Sequence, residues 1–366
     1  MIYADNAATT PLDARVFEAM KPFLLNEYAN ASQPYSFSRT VRKALWNARE
    51  TIANCINASP EEIVFTSGGT ESDNQAIKSV GTSGGAIIAS AIEHHAVLNS
   101  CKAIERLGCR VRLIKPNFDG KIDRNDLKDM LTNETRLVSI MTVNNEIGTV
   151  QPIGELCAIA HAEGALFHTD AVQAVGHMPI DVKALGIDLL SASAHKFNGS
   201  KGVGFLFVRN GVQLSPLIDG GSQEFDRRAG TENVAAIVGM AEALRLNCDR
   251  MEENCRHIRE LEDAFLDRLE ITYVRNGGRK TLPGLISLSF EGKSGEAILH
   301  RMDLMGICIS TGSACDGQRD QVSHVLKAIR LNESAARGTI RISFGKQNTL
   351  EDAARLADAL TKIVSD

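Results

Sequence analysis

Ser193-Ala194-His195-Lys196-Phe197-Asn198-Gly199 stands between two apolar runs, Ile187–Leu190 and Val203–Val208. Each run is short and bounded by turn residues, the pattern of a strand buried on both faces. A lysine at the mouth of such a strand, beside a serine and a histidine, is poorly explained by stability alone. Burial lowers a lysine pKa, and a partly neutral amine can form a Schiff base with an aldehyde. Taken singly, the stretch reads more readily as a lysine in a surface loop. The residues just beyond the other strands decide between the two.

Outward from this point the chain alternates. Apolar runs at Ile63–Phe65, Ala86–Ala89, Val111–Ile114, Leu137–Met141 and Ala165–Phe167 are mostly separated by helix-length segments. This predicts an α/β fold whose central sheet is mostly parallel and covered by helices on both faces. Upstream, Asp13 reads as the N-cap of a first helix, and Val41, Leu45, Ile52 and Ile56 mark a second over 36–57. Downstream, one long charged helix over Asn233–Leu269 precedes strands near Leu285–Phe290, Cys308–Ile309 and Thr339–Ser343 and a last helix from Leu350. That change of character predicts a smaller α+β domain. The expected division is 14–250 for the large domain, with 1–13 and 251–366 forming the small one.

Ligands of a parallel sheet collect beyond the carboxyl ends of its strands. After Ile63–Phe65 comes Thr66-Ser67-Gly68-Gly69-Thr70-Glu71, glycines and hydroxyls entering a helix. Such a turn can cradle an anion, and it lacks the Gly-Lys-Ser/Thr ending of a nucleoside-triphosphate loop. After Ala86–Ala89 comes Glu93-His94-His95, where an imidazole can lie over a planar ring. Asn145 follows Leu137–Val143 and can donate to a ring substituent. Asp170 follows Ala165–Phe167. It reads either as a helix N-cap or as a buried carboxylate that needs a positive partner, such as a protonated pyridine nitrogen. Lysine, aspartate, histidine and cradle on one sheet edge form the constellation of a pyridoxal phosphate site.

The stretches Asp5–Pro11, Phe65–Asn74, Glu93–Val97, Val143–Gly148, His168–Gly176, Ser193–Gly204, Arg228–Val234, Gly312–Cys315 and Ile340–Phe344 run from end to end of the chain. In order and spacing the sequence resembles the cysteine desulfurases of the class V aminotransferase group, in their iron–sulfur-cluster branch. The resemblance implies the fold of type I pyridoxal-phosphate-dependent transferases. It implies that Lys196 binds the cofactor covalently, that Asp170 pairs with its ring nitrogen, and that Gln173 and Asn145 meet the ring-hydroxyl side. His94 is implied to stack on the ring and move protons. Thr70, Ser193 and His195, with the backbone of Gly69, are implied to hold the phosphate, and Thr231 to reach the phosphate of the other subunit of a homodimer. Arg341 and Asn30 are implied to clamp the substrate carboxylate.

In the same way Cys315 is implied to be the nucleophile. It takes the sulfur of L-cysteine as a persulfide, leaving L-alanine, and hands it to an acceptor protein, a scaffold or a sulfur carrier. A selenocysteine lyase, or another lyase or aminotransferase with the same cofactor, is the alternative on this site. The family pattern is broken at 316–321, which is charged, and at Phe225, where an arginine is common. It is also broken at Ala29 and Ala31, which replace Gly and Pro, and at Ser36, which replaces a histidine. These departures bear on the substrate mouth and the acceptor.

Bulk properties agree with such an enzyme. At 366 residues the chain has room for two cores, and a net charge of −5 offers no basic footprint for direct contact with nucleic acid. No apolar run approaches the ~18 residues of a membrane span and the N-terminus has no leader pattern, so a soluble, cytoplasmic protein is expected. The 8 cysteines include no C-x-x-C pair. Reduced thiols are therefore expected, and no metal site.

Overall fold

In chain order the strands are β1 (Ile2–Tyr3), β2 (Ile63–Thr66), β3 (Ala86–Ser90), β4 (Arg110–Ile114), β5 (Thr135–Ser139), β6 (Leu166–Asp170), β7 (Leu189–Ser193), β8 (Gly204–Val208), β9 (Val274–Arg275), β10 (Leu285–Ser289), β11 (Ile307–Cys308), β12 (Ser310–Thr311) and β13 (Thr339–Ser343). They belong to a computed structural model that describes residues 1–82, 84–278, 280–311 and 322–366. Cys315 and the charged segment 316–321 lie outside the described residues.

Strands β2 to β8 form one seven-stranded sheet in the order β2-β8-β7-β6-β5-β3-β4. The pairs β3–β4, β3–β5, β5–β6 and β6–β7 are parallel, and β8 runs antiparallel to both β2 and β7. A parallel β7–β8 pair would need a long crossover, whereas the short turn that carries Lys196 permits only reversal. Successive residues of a strand serve opposite faces. Ile88, Val138, Leu190 and Phe207 enter one apolar core, and their neighbours Ile87, Leu137, Leu189 and Leu206 enter the other. Burial on both faces explains why the sequence shows continuous apolar runs rather than alternation.

Strands β6 and β7 outrun their apolar signal furthest. β6 continues to Asp170 and β7 to Ser193, because His168, Thr169, Ser191 and Ser193 are buried polar residues that a hydrophobic pattern does not register. β5 instead stops at Ser139, short of the expected Met141. Asp13 caps its helix as expected, its carboxylate accepting from the Arg15 N–H at 3.0 Å.

The single helix expected over Asn233–Leu269 is two helices, Val234–Asp249 and Met251–Asp267, broken at Arg250 with φ −116° and ψ 19°. Ile237, Met240 and Leu244 of the first pack into the large-sheet core, while Leu261 and Phe265 of the second enter another core. One straight axis could not serve both. That second core lies around the antiparallel sheet β12-β13-β10-β9, which carries Arg341 on β13. The N-terminus joins it: β1 pairs in parallel with β11, and the Ser343 N–H donates to the Ala4 carbonyl at 2.7 Å. From there residues 5–9 cross to the large sheet.

Candidate active site

The lysine turn is held by its carbonyls. Thr10 donates to the His195 carbonyl through its N–H (2.9 Å) and its hydroxyl (2.8 Å), and the Asp13 N–H donates to the Asn198 carbonyl (3.1 Å). His177 Nε2 reaches the Lys196 carbonyl at 2.9 Å, and Asn247 Nδ2 donates to the Phe197 carbonyl at 2.8 Å. Asn198 turns the chain with φ 65°, a left-handed conformation that asparagine tolerates better than most residues. The amine of Lys196 is thereby projected to the large sheet's carboxyl edge, where it donates to the carbonyls of Ala7 and Ala8 at 2.5 and 2.9 Å. Gln173 Nε2 donates to the same Ala7 carbonyl at 2.9 Å.

These groups line a cleft of about 580 Å³. The cradle residues Gly69, Thr70, Ser193 and His195 line it together with His94, Asn145, Asp170 and Arg341. The helix Gly69–Gly81 opens into the cleft by its N-terminus, where unpaired N–H groups and the helix dipole favour an anion. The cradle needs its glycines. A Cβ on Gly69 would stand 2.6 Å from Val172 Cγ2, and one on Gly204 would stand 2.7 Å from Gly68 Cα. A buried ion pair fixes the strand behind this turn: Glu224 accepts from both Arg49 nitrogens (2.7 and 2.8 Å) and from the Phe65 N–H (2.8 Å).

Asp170 ends β6 and starts no helix. Its Oδ1 accepts from the Val172 N–H at 2.9 Å, and burial raises its pKa against the lowering effect of His94, that hydrogen bond and Lys196. His94 is the N-cap of the helix His95–Glu105; its Nδ1 accepts the Ala96 N–H at 3.1 Å, so the neutral ring carries its proton on Nε2. Burial lowers the His94 pKa, and burial brings His195 down to about 4. Arg341 is buried, with Nη2 on Asp5 Oδ1 at 2.8 Å and Nη1 on the Asn145 carbonyl at 3.1 Å.

Of the residues singled out in the sequence, two stand apart from this cleft. Asn30 caps a local turn, accepting from the Ser32 N–H at 2.9 Å, and does not line it. Thr231 lines a neighbouring cavity of about 210 Å³ that shares Ser67 and Gly202 with the cleft. Phe225 is also outside the cleft, its ring 5.0 Å from the Arg49 guanidinium. Asp5 and the carbonyls of Ala7 and Ala8, which hold Arg341 and Lys196, carry no signal of that role in the sequence.

Pyridoxal phosphate fits this donor set. A buried carboxylate calls for a cation, a helix N-terminus with hydroxyls calls for a phosphate, and a pinned primary amine lies between them.

The class-V aminotransferase family matches residues 2–356. A cysteine desulfurase IscS of Dictyoglomus turgidum is 47% identical over 99% of this chain and 94% of its own length. Among solved structures, a NifS-like protein superposes with a TM-score of 0.94 at 35% identity, covering 100% of this chain and 99% of its own. SspA in complex with cysteine gives 0.86 at 36% identity over 95% of this chain and 100% of its own. Geometry and likeness thus meet on one assignment: the chain belongs to the class-V aminotransferase family and, within it, to the cysteine desulfurases, which work with pyridoxal phosphate.

Proposed function

We propose that this protein takes the sulfur of L-cysteine, releases L-alanine, and holds the sulfur on Cys315 for transfer to an acceptor protein. The observation that supports this best is the meeting, in one cleft, of a pinned lysine amine, a buried aspartate and a buried arginine held by Asp5. Bound at Lys196, pyridoxal phosphate supplies an electron sink that makes the substrate α-proton removable.

The chain's own groups do the rest. Thr70, Ser193 and His195 hold the phosphate at the helix N-terminus, and Asp170 keeps a proton on the ring nitrogen. Arg341, steadied by Asp5, binds the substrate carboxylate; Asn30, which stands apart from the cleft, is not assigned that role. Lys196 Nζ takes the α-proton, and His94, neutral with its proton on Nε2, passes protons over the ring. Cys315 attacks the substrate sulfur as thiolate. In a homodimer, Thr231 reaches the partner's phosphate.

The division into 14–250 and 1–13 with 251–366 is supported by the second core, which draws only on the latter two segments, while Ala7, Leu282 and Leu285 of those segments pack into the first. Among the described residues no helix is long and apolar enough to cross a membrane. The free thiols at Cys55, Cys101, Cys109, Cys157, Cys248, Cys255 and Cys308 support a reducing, cytoplasmic setting, where iron–sulfur cluster assembly is the fitting destination for the sulfur.

The deciding experiment incubates cofactor-loaded protein with L-cysteine and no reductant, then measures intact mass and alanine. One added sulfur on the wild type, absent from Cys315→Ala and matched by alanine, is expected. Equal sulfide release by both proteins, or pyruvate in place of alanine, would replace this reading by that of a lyase.

A further inference from the structure

The floor of the cleft holds more carboxyl than one ring cation can balance. Asp73, in the helix that begins with the cradle, is 1% exposed, and its Oδ1 has no hydrogen-bond partner among the described residues. One donor atom each from Asp73, His94 and Asp170 lie within 4.8 Å of one another. Asp73 Oδ1 is also 3.6 Å from His168 Nε2. That imidazole supplies no positive charge: it is fully buried between two hydroxyls, Ser139 Oγ at 2.8 Å from Nδ1 and Ser191 Oγ at 3.0 Å from Nε2. Glu93, buried nearby, engages Oε1 with the Met141 N–H at 2.7 Å and leaves Oε2 unpartnered. The amine of Lys196 is turned to the carbonyls of Ala7 and Ala8.

Two carboxylates so close in a buried floor repel strongly, and a single pyridinium offsets only one of them. The environment distinguishes the two. Asp170 has the Val172 N–H and the fields of His94 and Lys196 to favour its ionised form, whereas Asp73 has only the Ser191 hydroxyl in that sense and an Oδ1 with no hydrogen-bond partner among the described residues.

We propose that Asp73 is a positioning residue: as a neutral acid behind Asp170, it leaves Asp170 the one negative charge aimed at the cofactor ring nitrogen and turns its own proton toward that polar floor. This rests on the assignment of the cleft to pyridoxal phosphate. Burial, and then the charge of Asp170, push the Asp73 carboxyl well above the ordinary carboxylate range, and burial does the same to Glu93.

The test compares wild type, Asp73→Asn and Asp73→Ala. Two quantities are read, the dissociation constant for pyridoxal phosphate and the pH midpoint of the bound cofactor's absorption band; denaturation of each apoprotein reports folding. Asparagine replaces one neutral group by another, so affinity within about threefold of wild type and an unmoved midpoint are expected. Alanine removes the polar group behind Asp170, so affinity weakened about tenfold and a midpoint displaced by about half a unit or more are expected. Asparagine that displaces the midpoint as far as alanine, or alanine that leaves both quantities unchanged, overturns the proposal. If the alanine protein does not fold, the asparagine midpoint decides alone, unmoved in favour and displaced against. A wild type that takes up no pyridoxal phosphate overturns the cofactor assignment instead.

Discussion

At the scale of one residue, Arg341 shows how a buried cation is kept available. It is 3% exposed, and a charge so placed must be paired to be tolerated. Asp5 and the Asn145 carbonyl take one nitrogen each, and Nε has no partner among the described residues. The guanidinium is therefore fixed in plane before substrate arrives, which suits two-point capture of a carboxylate. Arg341→Lys keeps the charge and loses the planar fork. Steady-state kinetics with L-cysteine are expected to show KM raised about tenfold or more with a smaller change in kcat. A fall in kcat at constant KM would remove Arg341 from substrate binding. Lys196 and Asp170 were legible in the sequence because each is a charged residue just beyond an apolar run, whereas the role of Arg341 came from the resemblance to the cysteine desulfurases alone. Asp5, Ala7 and Ala8 were not: two of them act through backbone carbonyls, which carry no residue-type signal. Asp73 was hidden for another reason, since an aspartate in Glu71-Ser72-Asp73-Asn74 looks like the solvent face of a helix.

At the scale of an element, the lysine turn depends on partners far away in sequence. Asn247 is buried in the helix Val234–Asp249, and its Nδ2 donates to the Phe197 carbonyl and to the Ala243 carbonyl, each at 2.8 Å. A buried carbonyl stripped of its donor costs about 1–3 kcal/mol. Asn247→Ala is thus expected to lose about that much stability as apoprotein in urea, and to weaken cofactor attachment at Lys196 as the turn loosens. An unchanged urea midpoint would mean that water replaces the amide freely. The same helix shows where element boundaries escape the sequence. Its apolar spacing continues past Arg250 into Met251–Asp267 with neither proline nor glycine between. The break is imposed by two separate cores, which lie beyond any local window.

At the scale of the whole molecule, buried titratable groups set how stability follows pH, and they act with opposite signs. Burial lowers the pKa of His94 and His177, and takes His168 down to about 3 and His195 to about 4. These histidines contribute stability that is present above their ordinary 6.5 and lost as pH falls toward the folded values. Burial raises Asp73, Glu93 and Asp170, whose contribution is present below their ordinary values and lost as pH rises through the folded ones. The wild-type curve sums both slopes and hides each, so the informative quantity is a difference. Above its ordinary 3.8, an Asp73 that stays neutral in the fold holds a proton that the unfolded chain gives up. Each pH unit then costs the wild type about 1.4 kcal/mol that an asparagine does not incur. Urea unfolding of the apoproteins at pH 4.5, 5.5 and 6.5, within roughly the range where this linkage operates, is expected to show Asp73→Asn gaining on wild type by about that amount per unit. A flat difference would mean that Asp73 is ionised in the folded protein, with the floor of the cleft carrying two negative charges toward one ring nitrogen.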